Sequence, residues 1–166
     1  MDMSTDWIAW ALSQFDVTML LCALFFIVLH TIVRVKYVSF YEIIFRWLVL
    51  FSLGFTSLYT FVMHAFYPHM AAAVIGWAAS PFQFEVAMAD LAIGVLGVLS
   101  FRASYGFRLA TVIASVCFLW GDAVGHMREM VVNNNFYPGN AGSWFWLDIF
   151  IPLILLICIT HLKSKK

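Results

Sequence analysis

Charge is what this sequence has least of. Nine Lys and Arg and nine Asp and Glu are spread over 166 residues, so 11% of the chain is charged where a soluble domain carries about 25%. Mean hydropathy is +0.93, and together these values exclude an ordinary water-soluble fold. Cysteine is also scarce. Cys22, Cys117 and Cys158 sit inside apolar runs with no CxxC spacing, so they are better read as small buried hydrophobes than as a disulfide or metal framework. No HExxH, nucleotide-binding or haem-attachment motif occurs, so a zincin is unsupported. The leading segment "MDMSTDWIAWALSQFD" has no Lys or Arg, and no small-x-small site follows the apolar stretch after it. A cleaved signal peptide is therefore not expected, and the first run stays as a helix.

What is present is apolar helix. Five hydrophobic runs are expected as transmembrane helices at about 15–33, 41–66, 81–101, 107–131 and 144–162. Five crossings use roughly 100 residues, leaving short loops and one transmembrane domain over 1–166. Arg34, Lys36, Arg46, Arg102, Arg108, Lys163, Lys165 and Lys166 fall at one side of the bundle and Arg128 at the other. Positive-inside bias then places the N-terminus outside and the C-terminus in the cytoplasm. Asp2, Asp6, Asp16, Glu85, Asp90, Asp122, Glu129 and Asp148 all belong to outer halves, leaving only Glu42 inside, four residues before Arg46. The ten-residue stretch "MAAAVIGWAA", 70–79, is too short to span and suits an interfacial or re-entrant piece.

Helix signals mark the outer side. In "SPFQ", 80–83, Ser80 is expected as N-cap, Pro81 at the first helical position and Gln83 at the third, closing a capping box. Glu85 then lies in the first turns, where the helix dipole favours a carboxylate. Asp90 lies about 13 Å below that cap at 1.5 Å per residue. The last helix follows the turn-rich "NNNFYPGNAGS", with Asp148 about one turn inside it.

The fourth run carries the sharpest pattern. Asp122, His126, Glu129 and Asn133 lie within about 60° of one line on a helix, a polar face three turns long. Gly121 and Gly125 form a GxxxG beside it, expected to let a neighbouring helix come close and turn the face inward, while Arg128 points away to snorkel. The second run adds Ser57, Thr60 and His64 rising toward the same end.

Glu85, Asp90, Asp122, His126, Glu129 and Asp148, with His64, are thus expected in the outer third of one bundle. So many carboxyls cannot all stay ionised in a membrane unless they take protons, meet water or bind a cation. Carboxylate and imidazole without thiolate favour a divalent metal, Fe, Mn or Zn, and bundle proteins build such centres from inward acids and helix-borne His. The spacing Asp-x-x-x-His-x-x-Glu is not their Glu-x-x-His, and no second copy occurs. A proton- or ion-coupled transporter is the second reading, although the polar groups gather on one side. A non-catalytic subunit whose acids are protonated hydrogen-bond groups is the third. Whether the protein is an enzyme stays open. Its partners are the lipid bilayer and, as open alternatives, a second copy or another membrane subunit; nucleic acid is not expected.

"GWAASPFQFE", "GDAVGHMREM", and "NFYPGNAG" with the following "WLDIFIP" together resemble a family of small bacterial multi-pass membrane proteins of unknown function, over roughly residues 76–152. The resemblance implies a membrane location and nothing about substrate; a bacterial inner membrane is the expected location. Glu85, Asp122, His126 and Asp148 match its pattern, which commonly carries an amide where this chain has Asp90.

Overall fold

A computed structural model of the protein describes residues 10–33 and 38–162. Asp2, Asp6, Arg34, Lys36, Lys163, Lys165 and Lys166, which entered the topology reading, lie outside them. The described chain is helical without strands: α1 (Phe15–Val33), α2 (Phe40–Phe66), the short α3 (Pro68–Ile75), α4 (Phe82–Ser100), α5 (Tyr105–Val132), the single turn α6 (Pro138–Ala141) and α7 (Ser143–His161). Five helices are long and apolar enough to cross a membrane, α6 and α7 counting as one stretch. In such surroundings every backbone group must be satisfied internally, which is why uninterrupted apolar runs become helices.

The helices alternate in direction, so the bundle has two unlike ends. At one, α3 and α6 lie across the top. At the other, the starts of α2 and α5 meet the ends of α4 and α7. The apolar core sits in this second half, built from Ala23 and Ile27 of α1, Ile43, Phe45 and Val49 of α2, Val112 of α5 and Leu155 and Ile159 of α7.

Arg108 closes that half. Its Nη1 donates to both carboxylate oxygens of Glu42 at 3.0 and 2.9 Å, Nε donates to the Ser100 carbonyl at 2.9 Å, and Nη2 to the Phe101 carbonyl at 2.9 Å. One guanidinium thus caps the last carbonyls of α4 and ties them to α2. Arg46 also pairs with Glu42. Arg108, read from the sequence as a topology charge, is buried.

Two departures from the expected helix signals have plain causes. The GxxxG at Gly121 and Gly125 does not seat a helix: a Cβ added at Gly121 would meet nothing within 4 Å, and one at Gly125 only the Trp77 ring at 3.6 Å. Close approach occurs between α2 and α4, where a Cβ at Gly97 would stand 2.7 Å from Gly54 Cα. Gly54 lies in a π-helical segment, Leu48–Phe55, whose wider turn brings its backbone toward α4. The Thr56 hydroxyl donates five residues back to the Phe51 carbonyl at 3.2 Å, occupying the opened turn. Nor does the capping box form. The helix begins at Phe82, Ser80 Oγ accepts from the Phe82 N–H at 3.3 Å, and the Gln83 amide reaches away to the Pro68 carbonyl at 2.9 Å, joining α4 to α3 instead of to its own cap.

Gly97→Ala is therefore expected to destabilise by about 1–3 kcal/mol through overpacking, with Gly121→Ala neutral within about 0.5 kcal/mol; thermal unfolding in detergent compares them, and equal effects would contradict this packing. Arg108→Met should cost about 1–3 kcal/mol by leaving the Ser100 and Phe101 carbonyls unpaired, with Arg46 still pairing Glu42, whereas Arg108→Lys should lose less in the same assay.

Candidate functional site

Between the apolar core and the cap lies a cavity of about 460 Å³. Each long helix delivers an ionisable group to its wall: Asp16 from α1, His64 from α2, Asp90 from α4, Asp122 and His126 from α5, and Asp148 from α7. Asp148 stands within electrostatic reach of Asp122, Asp90 and Asp16. Among the described residues no Lys or Arg lines this space. The rest of the wall is mostly apolar, with Ser52, Thr56, Ser57 and Thr60 along α2. Thr60 answers its own helix, donating to the Ser57 carbonyl at 2.9 Å.

The helix periodicity explains which acids arrive. Asp122 and His126, four residues apart, share the inward line of α5. Three turns are more than the bundle covers, so the same line emerges above: Glu129 accepts from the Asn133 amide at 2.6 Å and from Arg128 at 3.4 Å and does not line the cavity. Glu85 is exposed on α4 and does not line it either. Of the residues expected to share a site, His64, Asp90, Asp122, His126 and Asp148 are brought together, and Glu85 and Glu129 are not.

Asp16 joins them without having been singled out. It lies in the first turn of α1, where free backbone N–H groups favour a carboxylate. It is 1% exposed. The Ser143 hydroxyl and first-turn amides are nearby, yet neither carboxylate oxygen makes a hydrogen bond of ordinary geometry to any described residue. Its burial depends on α7 folding over it, which helix periodicity does not reveal. The His64 Nδ1 and Ser52 Oγ are likewise buried without a partner among the described residues.

Asn140 sets the state of His126. Trp77 Nε1 can only donate, and it donates to Asn140 Oδ1 at 2.8 Å. The amide nitrogen of Asn140 donates to the carbonyls of Asn135 at 2.9 Å and His126 at 3.3 Å. With Oδ1 assigned as acceptor, the His126 Nδ1 found 2.8 Å from it must carry the hydrogen. In the neutral ring Nε2 is then the lone-pair side, and it lies 3.9 Å from Asp148 Oδ2. Asn140 is 0% exposed, held by α6 inside the turn-rich loop, where no sequence pattern marks one Asn above its neighbours. The cap is otherwise locked by Asn135 Nδ2 donating to the Ile75 carbonyl at 3.0 Å, and by Gly76, which ends α3 at φ 76°, a left-handed turn suited to glycine.

Two irregularities sit at cavity level. Pro152 inside α7 has no N–H to offer the carbonyl of Asp148 four residues back. The π segment of α2 places Ser52 on the wall, and such segments recur at functional sites. A second cavity of about 310 Å³ under Trp77, Ser80 and Gln83 shares His64, Asp122 and His126 with the first.

Metal ligation was the expectation for these residues, but among the described residues no group of three or more His, Cys, Asp or Glu side chains is arranged to hold a metal ion. The carboxyls come from separate helices, and the one ligand pair with a defined separation, His126 Nε2 and Asp148 Oδ2 at 3.9 Å, is not joined by a third, whereas a metal needs its ligands about 2.0–2.6 Å away on all sides.

Asn140→Ala is expected to cost about 1–3 kcal/mol by leaving the Trp77 and His126 donors unpaired. It should also free the His126 tautomer: ¹⁵N shifts of the ring should report Nδ1–H in the unmutated protein and a mixed population in the variant. An Nε2–H ring in the unmutated protein would overturn the assignment.

A family model, that of the family of unknown function DUF6790, matches residues 13–166, and the chain belongs to that family. No curated protein and no solved structure matches the chain.

Proposed function

Because membership of that family brings no assigned activity, the cavity's own chemistry supplies the reading, and we propose that this membrane protein binds a cation there. The observation that carries it is the wall itself: four Asp side chains from four helices around one space, with no side-chain cation among the described lining residues. Asp16 weighs most, because a fully buried carboxyl without an ordinary hydrogen bond is costly unless something answers it.

A divalent metal among Fe, Mn and Zn, with Asp122, His126 and Asp148 as its nearest ligands, is the less favoured cation on the ligand spacing above. Passage through the bundle is less favoured than capture, because the opposite half is filled by Ile43, Phe45, Leu155 and Ile159 and tied by Arg108. The distribution of Lys and Arg supports placing the cavity end on the outer face of a bacterial inner membrane.

The purified protein should melt higher in the presence of its cation. By mass action, saturation at about 100 times Kd adds about 2.7 kcal/mol. A panel of Na⁺, K⁺, Mg²⁺, Mn²⁺, Zn²⁺ and simple organic ammonium chlorides, read by thermal unfolding, should contain at least one stabilising ion whose effect is lost in Asp148→Asn. A panel with no stabilising ion would overturn the proposal.

A further inference from the structure

We propose that the cation is a primary ammonium carrying an apolar body, an inference that rests on the cation reading above. Size is the first ground. The cavity, at about 460 Å³, is far larger than a bare ion and falls in the range of about 300–1,000 Å³ typical of small-molecule sites.

Chemical character is the second. Leu12, Met63, Val86, Leu119, Leu147 and Ile151 form apolar wall. Tyr59 stacks on Phe15 with ring centroids 4.2 Å apart and faces Trp144 at 6.4 Å, while its hydroxyl donates to the Leu12 carbonyl at 2.8 Å and so fixes one side of the space. Tyr59 and Trp144 both line it. An apolar body with a cationic head is what apolar and aromatic wall interrupted by carboxylates accommodates.

Donor geometry is the third ground, and it selects the head group. The described residues gather no three ligands around a point, as a metal would need. A primary ammonium carries three N–H donors directed apart and holds each acceptor at about 2.8–3.0 Å, farther out than the roughly 2.0–2.6 Å of a metal–oxygen bond, so carboxyls set too wide for a metal can still converge on it. The acceptors lining the cavity are the carboxylates of Asp16, Asp90, Asp122 and Asp148. The Asp16 oxygens have no competing hydrogen bond of ordinary geometry. A quaternary ammonium has the charge but no N–H, and an alcohol of the same shape has neither the charge nor the three donors.

Calorimetry on the full chain in lipid nanodiscs, with hexylammonium, hexyltrimethylammonium, hexan-1-ol and Mn²⁺ as probes, tests this. Hexylammonium should bind saturably, about tenfold or more tighter than hexyltrimethylammonium, with hexan-1-ol showing only partition into the lipid. Asp16→Asn and Asp148→Asn should each weaken hexylammonium about tenfold or more. Should either variant fail to fold, the ranking of probes on the unmutated chain decides. Equal binding of hexyltrimethylammonium, or binding of Mn²⁺ without hexylammonium, would overturn the primary-ammonium inference and leave the cation reading standing. Binding of no probe would overturn the primary-ammonium inference alone, whereas saturable hexan-1-ol binding as tight as that of hexylammonium, with no stabilising ion in the panel above, would overturn both.

Discussion

A carboxyl group enclosed among apolar helices must be answered by a proton, by water or by a cation, because its charge is poorly supported in a low-dielectric surrounding. Among the described residues no Lys or Arg lines the cavity to answer its carboxyls. Arg108 and Arg46 are both engaged by Glu42 at the far end of the bundle, and Arg128 points outward, its side chain 70% exposed. Acids and bases balance over the whole chain and not within the cavity. The separation is a consequence of topology: alternating helices put residues near the start of α1, α4 and α7 and residues near the end of α2 and α5 at the same level, and that is where Asp16, Asp90, Asp148, His64, Asp122 and His126 occur.

The rest of the architecture serves to hold that level open and shaped. Close contact between Gly97 and Gly54 draws α2 and α4 together, while the π segment and the Thr56 hydroxyl widen α2 beside it. Pro152 leaves the Asp148 carbonyl without its helical donor, and Trp120 Nε1 donates to the neighbouring Ile149 carbonyl at 3.2 Å. Above, α3 and α6 are joined to the long helices by side chains rather than by ladders of backbone bonds. Asn140, Asn135 and Gln83 each bridge separate elements, which gives the cap a defined shape without long helices of its own.

Composition and periodicity determined the all-helical, membrane-compatible architecture, because about 20 apolar residues in a row have few alternatives to a helix. They also made legible the convergence of Asp122 and His126 with acids of other helices, since i,i+4 spacing on one helix is a local property. Residues whose role depends on another helix were not legible in this way. Asp16 becomes part of the site because α7 packs over the first turn of α1. Glu85 drops out because its side of α4 is exposed, and Glu129 because its turn of α5 lies above the cavity. Arg108 reads as an ordinary loop charge until Glu42 and the end of α4 are placed beside it. Asn140 reads as one of several loop amides until Trp77 and His126 close on it. Gly121 and Gly125 carry the expected motif for close packing, but the glycines actually in contact belong to helices whose pairing only the tertiary structure decided. Local spacing says which side chains share a face; which faces meet depends on interactions between residues far apart in the chain.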